Sequence, residues 1–216
     1  MKKVGIIGSG EVGQTLANGF IKHGYDVMIG TRSVKKLDEW KNSYGGKHGH
    51  VGTFHDAAAY GDLLVLAVKG SAAKEALQLS GINNLKGKTV IDTCNPIADA
   101  PPENGVLKFF TSLDSSLMEQ LQSSFPDVHF VKAFSNIGSS FMVNPKFKGI
   151  QPTMFICGND SNSKNEVADI LKKFGFEVED MGKAEAARAI EPLCILWCIP
   201  GLLNNEWSHA FKLLRA

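Results

Sequence analysis

The sequence predicts an α/β fold with a doubly wound, mainly parallel sheet, because strand-like and helix-like segments alternate over residues 1–182. The run DLLVLAV at 62–68 is apolar at nearly every position, which is typical of a strand buried on both faces. After Gly182 the alternation stops, and the chain reads as helical without strands. The sequence therefore predicts one sheet domain, 1–182, and a short helical C-terminal extension, 183–216.

Each element is predicted from its apolar spacing and from the residues that end it. Pro96 stops the fifth strand, and the capped amphipathic helix at 163–175 ends in a glycine. The predicted strands cover residues 4–8, 25–30, 50–54, 62–68, 88–96, 130–138, 152–158 and 176–182. The predicted helices cover residues 11–23, 33–40, 55–61, 71–80, 163–175, 184–200 and 202–215.

The composition is that of a globular protein without a strong charge bias. The 216 residues are 44% apolar and 21% charged, and the net charge is +1. This balance gives no support for broad electrostatic binding of nucleic acid or of an anionic membrane. Any anion that the protein binds must be held by a local site.

Neither a targeting segment nor a metal site is expected. The N-terminal MKKVGIIGSG is broken by glycines and reads as a strand, and no stretch approaches the about 18 apolar residues of a membrane span. The four cysteines form no CxxC pair, so they are expected to be reduced thiols in a cytoplasmic protein. They are Cys94, Cys157, Cys194 and Cys198.

A glycine-rich loop follows the first strand and opens the first helix. Gly8, Ser9, Gly10, Glu11, Val12 and Gly13 match G-x-G-x-x-G in the context that a dinucleotide site requires. The pattern assigns Gly8 to a tight turn, Gly10 to the approach of a pyrophosphate, and Gly13 to packing of the helix on the strand. This arrangement predicts a Rossmann-type dinucleotide-binding fold.

The end of the second strand predicts which dinucleotide is bound. NAD-binding folds usually carry an acidic residue about 20 residues after the loop, to accept hydrogen bonds from the ribose. This chain has Thr31, Arg32 and Ser33 there, with Lys36 one turn later. Two hydroxyls and two cations suit the 2′-phosphate of NADP(H), whereas a carboxylate would repel it.

Other cofactor-binding residues are predicted at the carboxyl ends of later strands, where ligands bind in open α/β sheets. Ala67, Val68 and Lys69 should lie beside the nicotinamide ribose, while Asn95 and Asn136 could bind the carboxamide. Pro96 makes its turn rigid. Each asparagine could equally be a turn residue that satisfies its own backbone.

General acid–base groups are scarce at these strand ends, so no catalytic residue is assigned. Lys69 and Cys94 are the only candidates. Alcohol oxidation needs a positioned proton acceptor, whereas hydride exchange between a nicotinamide and a flavin-like ring does not. The sequence thus favours an NADPH-dependent reductase of a small-molecule acceptor. Two alternatives stay open: a non-enzymatic NADP(H)-binding or redox-sensing protein, and a dehydrogenase of a small carbonyl substrate.

Several stretches resemble the NADP oxidoreductases that use a deazaflavin, coenzyme F420. They are VGIIGSGEVG, IGTRS, CNP, VKAFSNIG, MFICGND and EDMG, and the resemblance runs from residue 3 to about residue 215. Similar stretches occur in the cytosolic NADPH-binding domain of the six-transmembrane ferric reductases. The C-terminal extension is similar to that of small bacterial dinucleotide-binding relatives.

The resemblance implies hydride transfer between NADPH and a deazaflavin or flavin in a cleft completed by the extension, within a homodimer. It implies pyrophosphate contacts for Ser9, Glu11 and Val12, and 2′-phosphate contacts for Thr31, Arg32 and Lys36. Val68 and Lys69 match positions beside the nicotinamide, and Pro96 and Asn136 lie in matching strand-end loops. The chain departs from the family's pattern at Lys69, where the family often has Pro, and at Glu11, where the archaeal enzymes favour Asn.

Apolar residues of the extension are candidates for the wall of the acceptor site. Trp197, Leu202 and Leu203 could lie there, or could simply pack in the core or in a dimer interface.

Overall fold

The computed structural model describes residues 1–216. Its central element is one eight-stranded sheet. The strands are β1 Lys3–Ile7, β2 Asp26–Gly30, β3 Gly49–Gly52, β4 Leu63–Leu66, β5 Thr89–Asp92, β6 His129–Lys132, β7 Thr153–Gly158 and β8 Glu177–Asp180. Their order is β3-β2-β1-β4-β5-β6-β7-β8, and only β6 and β7 pair antiparallel. The predicted α/β fold with a mainly parallel sheet is confirmed.

The helices cover both faces of the sheet. They are α1 Glu11–Lys22, α2 Asp38–Trp40, α3 Phe54–Tyr60, α4 Ala73–Ser80, α5 Ile82–Leu85, α6 Leu117–Ser124, α7 Ser161–Lys173, α8 Ala187–Ile190 and α9 Leu193–Asn204. The predicted helix at 33–40 is a 3₁₀ turn at Val34–Leu37 followed by the short α2. The sequence prediction left α5 and α6 unassigned.

Two hydrophobic clusters, one on each face of the sheet, form the core. Side chains alternate along β4, so that Leu63 and Val65 join one cluster while Leu64 and Leu66 join the other. All four are fully buried. This explains the continuous apolar run at 62–68, since a strand covered by helices on both faces has no polar side.

The C-terminal extension is helical only as far as Asn204, which corrects the prediction of a helix at 202–215. Asn205 takes the left-handed conformation (φ 57°) and ends α9. Beyond it, the N–H of Thr153 donates to the carbonyl of Phe211 at 2.9 Å, and the N–H of Leu213 donates to Thr153 Oγ1 at 3.0 Å. The last residues thus bond to the start of β7 rather than to their own backbone.

One segment of the extension is more apolar than the sequence analysis allowed. Ala184–Asn204 is long and apolar enough to cross a membrane by length and composition alone, since an 18-residue window within it has a mean hydropathy of 1.5. The expectation that no stretch approaches a membrane span is therefore wrong by this measure. A third of that window is buried inside the protein, and the core helix of a globular protein passes the same test.

Helix α6 begins with a capping box and an ion pair to the extension. The N–H of Glu119 donates to Ser116 Oγ at 3.1 Å, and the N–H of Ser116 donates to Glu119 Oε2 at 2.9 Å. Arg188 of α8 reaches Glu119 Oε1 with its Nη2 at 2.6 Å. The hydrogen bond from Arg188, with those from Ser116, lowers the pKa of Glu119 to about 2.

The ion pair between Glu119 and Arg188 should make the free energy of unfolding depend on pH in the acid range. A carboxyl group with a lowered folded-state pKa stabilises the protein above its unfolded pKa, near 4.5 here, and that stabilisation is lost as the pH falls toward 2. We expect Glu119→Gln to lower the free energy of unfolding at pH 7, and the difference from wild type to vanish near pH 2. Urea unfolding at several pH values measures this. Glu185→Gln, an exposed residue of the same region, is the control, and an equal loss in both variants would contradict the assignment.

Candidate functional site

A cavity of about 590 Å³ lies at the carboxyl ends of the central strands. It opens beside β1, whose neighbours are β2 and β4, so the chain reverses its winding direction there. Most of the predicted binding residues line it: Gly8, Ser9, Gly10, Glu11, Val12, Thr31, Arg32, Ser33, Lys36, Ala67, Val68, Lys69 and Asn95. Gly13, Pro96 and Asn136 do not.

The glycine loop brings β1, β4 and α1 into close contact. A Cβ at Gly8 would lie 2.0 Å from the carbonyl oxygen of Ala67, and the φ of Gly8 is +133°. A Cβ at Gly13 would lie 2.2 Å from the carbonyl oxygen of Gly8. Gly13 therefore lets the helix pack on the loop and has no part in lining the cavity.

The space in front of Gly10 is open, since a Cβ there would meet nothing within 4 Å. Gly10 is the N-cap of α1 and has no side chain to cap the helix. The first helical hydrogen bond runs from the N–H of Gln14 to the carbonyl oxygen of Gly10, at 3.0 Å. The preceding N–H groups are left for a ligand. With the positive end of the helix dipole, they suit a pyrophosphate.

The end of β2 combines a buried hydroxyl with two exposed cations. Thr31 is only 4% exposed, and its Oγ1 accepts hydrogen bonds from Ser9 Oγ at 2.9 Å and from the N–H of Ser33 at 3.2 Å. This holds the end of β2 against the glycine loop. Arg32 and Lys36 are exposed and line the cavity. They place positive charge where the 2′-phosphate is predicted.

The ends of β5 and β6 carry buried polar atoms that lack partners. Asn95 Nδ2 donates to the carbonyl of Ser135 at 2.6 Å, but Asn95 Oδ1, Ser135 Oγ and Asn136 Nδ2 have no hydrogen-bond partner. Buried polar groups are rarely left unpaired. Of these three residues only Asn95 lines the cavity, so its Oδ1 is the one that suits a polar ligand group such as a carboxamide. Pro96 supports the next loop, because its carbonyl accepts the N–H of Phe110 at 2.8 Å.

The ionisable groups at this end of the cavity are a buried thiol and an exposed ion pair. Burial raises the pKa of the Cys94 thiol, which donates to the carbonyl of Val68 at 3.2 Å. Lys69 forms an ion pair with Asp99 at 3.1 Å, and both side chains are largely exposed. Exposed ion pairs of this kind contribute little to stability.

Sequence reasoning missed the wall of the cavity that is built from α3, α4 and the segment after β5. These lining residues are Phe54, Gly70, Ala72, Glu75, Ala76, Leu79, Ile97, Ala98 and Asp99. These residues belong to no local sequence motif. They reach the cavity only because α3 and α4 pack on the sheet, which the local sequence does not show. Thr93 and Cys94 also line the cavity, at the end of the fifth strand, where the sequence predicts that the ligand lies.

Trp197, Leu202 and Leu203 do not line the cavity. Trp197 packs on Gly138, where a Cβ would lie 2.8 Å from its ring, and stacks on His209 with ring centroids 4.9 Å apart. Leu203 packs against Gly105. The extension therefore covers the loops that follow β5 and β6 from outside the cavity.

A buried ion cluster, Lys132 with Asp92 and Glu191, lies under these strand ends and was also missed. Lys132 Nζ is 2.7 Å from Asp92 Oδ2 and 2.9 Å from Glu191 Oε1, and Lys132 and Asp92 are fully buried. Burial alone lowers the pKa of Lys132, but the two carboxylates outweigh it and raise the pKa. Asp92 and Lys132 lie within predicted strands of the sheet. Because a buried charge needs an opposite charge beside it, these two residues could have indicated the cluster.

The fold and the site together define an NADP-dependent oxidoreductase. Residues 3–96 match the family described as NADP oxidoreductase, coenzyme F420-dependent. A proposed F420-dependent NADP reductase from Arthrobacter sp. FB24, solved at 1.70 Å, is 33% identical over all of both chains, with a TM-score of 0.91. The chain belongs to the coenzyme F420-dependent NADP oxidoreductase family.

More distant relatives share parts of the chain. Metalloreductase STEAP3 of Rattus norvegicus is 28% identical over 205 residues, which are 93% of this chain and 39% of the relative. The chain thus spans less than two fifths of the curated relatives that it matches. An imine reductase from Aspergillus terreus, in complex with NADPH4, covers 94% of this chain at 17% identity and a TM-score of 0.67, which shows the fold alone.

Arg32 should decide between the two nicotinamide cofactors. Arg32→Ala is expected to weaken NADPH binding by roughly 1.5–3 kcal/mol, the scale of a charge-assisted hydrogen bond, and to change NADH binding little. Calorimetric titration of both cofactors measures this. Lys35→Ala removes a neighbouring exposed cation that does not line the cavity and serves as the control. Equal weakening of both cofactors by Arg32→Ala would exclude Arg32 as the discriminator.

Proposed function

We propose that the protein transfers hydride between NADP(H) and a planar acceptor, a deazaflavin or a flavin. The observation that carries the proposal is the set of ionisable groups at the strand ends of the cavity, where Cys94 is a buried thiol and Lys69 is paired with Asp99. Reduction of a carbonyl compound needs a proton donor beside the carbonyl oxygen, which takes the proton while the carbon takes the hydride. Ring-to-ring transfer needs only that the two rings be held face to face.

The chain's own residues would bind and orient the cofactor. The N-terminus of α1 and Gly10 would hold the pyrophosphate, and Arg32 with Lys36 would hold the 2′-phosphate. Asn95, with its unpaired Oδ1, would fix the carboxamide. When bound, the nicotinamide supplies or accepts the hydride.

Hydrophobic side chains would shape the remaining face. Val68 and Ile97 line the cavity near Asn95, and Ile97 is held by a β-bridge to Phe109. Apolar walls of this kind exclude water from a hydride donor and leave a flat surface for a second ring.

An acceptor panel tests the proposed reaction. We expect rapid oxidation of NADPH in stopped-flow mixing with deazaflavin or flavin, and none with small carbonyl compounds. Ferric chelates belong in the panel because the 28% identical relative is a metalloreductase. Tight NADPH binding without turnover on any acceptor would support a non-enzymatic NADP(H)-binding or redox-sensing protein instead.

Lys69 separates ring-to-ring transfer from a dehydrogenase of a small carbonyl substrate. Because Lys69 is exposed and paired with Asp99, we expect Lys69→Met to retain kcat within about threefold, equivalent to under 1 kcal/mol. Lys108→Met removes a comparable exposed partner of Glu103 and is the matched control. Loss of turnover in Lys69→Met alone would favour the dehydrogenase.

We also propose a homodimer in the cytoplasm. Leu196 and Leu203 of α9 are more than half exposed, and exposed apolar patches of this kind often mark an interface between proteins. Sedimentation equilibrium would show a dimer. Recovery of the full-length protein with membranes would point instead to the apolar character of Ala184–Asn204.

A further inference from the structure

The ion cluster of Lys132, Asp92 and Glu191 touches the peptide that leads into Asn95, although none of its three side chains lines the cavity. Buried ion clusters contribute little net stability compared with apolar residues of similar size. An ammonium can, however, bind a backbone carbonyl, which an apolar side chain cannot do. That contact connects the ammonium of Lys132 to the residue before Asn95.

We propose that Lys132 is a positioning residue for the nicotinamide end of the cofactor, acting through the Cys94 carbonyl on Asn95. The C-terminal extension takes part through Glu191. This inference rests on the proposed function, because it requires the nicotinamide to lie at the end of β5.

The cluster fixes both sides of residue 94. Lys132 Nζ donates to the Cys94 carbonyl at 2.8 Å, and the Cys94 N–H donates to Asp92 Oδ1 at 2.9 Å. Asn95 follows directly and anchors its Nδ2 on the Ser135 carbonyl. With backbone and amide both held, the unpaired Oδ1 of Asn95 has a fixed direction.

Glu191 connects this arrangement to two other elements. Its Oε2 and Oε1 accept the N–H groups of Leu117 and Met118, each at 3.0 Å, at the start of α6. The positive end of that helix helps to stabilise a second carboxylate beside Asp92. Glu191 lies just before α9, so the extension contributes directly to the position of the ammonium.

Paired ligand titrations test the role without depending on the acceptor. Adenosine 2′,5′-bisphosphate carries the phosphate that Arg32 is proposed to bind but has no nicotinamide. We expect Lys132→Met and Glu191→Gln to weaken NADPH binding about five- to tenfold, the scale of one hydrogen bond. Binding of the bisphosphate should not change.

Glu191→Gln decides the question if Lys132→Met does not fold. Lys132→Met leaves Asp92 and Glu191 buried without a cation, which is strongly destabilising. Glu191→Gln leaves Lys132 and Asp92 as a neutral pair. The matched control is Glu166→Gln at the opposite end of β5, where Glu166 accepts a hydrogen bond from Thr89 Oγ1 at 3.0 Å; it should leave both affinities unchanged.

The outcomes distinguish the positioning role from the proposed function. An unchanged NADPH affinity in Glu191→Gln, or an equal loss for both ligands, would overturn the positioning role. If wild-type protein bound NADPH no more tightly than the bisphosphate, the nicotinamide would make no contact, and the proposed function would fail together with the inference. A selective loss for NADPH supports the inference.

Discussion

The close approach of β1, β4 and α1 at the glycine loop is the constraint on which the rest of the site depends. Only hydrogen fits at Gly8 and Gly13, where a Cβ would lie within 2.2 Å of a carbonyl oxygen. Because the helix starts so close to the strand, its first N–H groups face the cavity at the point where the sheet reverses its winding. The hydrogen bond from Ser9 to Thr31 then fixes β2 to the same loop.

Charge is distributed unevenly around the cavity, and this accounts for the chemistry that the site can support. At the β2 end, Arg32 and Lys36 are exposed cations suited to a phosphate. At the β5 end, the ammonium of Lys132 is buried with two carboxylates and points to a backbone carbonyl. The exposed cations therefore suit a phosphate group, whereas the buried cluster acts on the backbone that leads into Asn95.

The C-terminal extension is part of the sheet domain's architecture rather than a separate unit. Glu191 enters the buried ion cluster, Trp197 packs on Gly138, and Phe211 accepts a hydrogen bond from the first residue of β7. These contacts lie directly behind the loops that end β5 and β6. Changes in the extension should therefore reach the cavity through those loops.

Apolar spacing and local motifs were enough to predict the α/β class, the strands, the glycine loop and the basic end of β2. Three other features depend on long-range packing. The wall of α3 and α4, the ion cluster of Lys132, and the non-helical path of residues 205–216 all join residues far apart in the chain. Local propensity favours a helix over residues 202–215. Beyond Asn204, hydrogen bonds to Thr153 outweigh that preference.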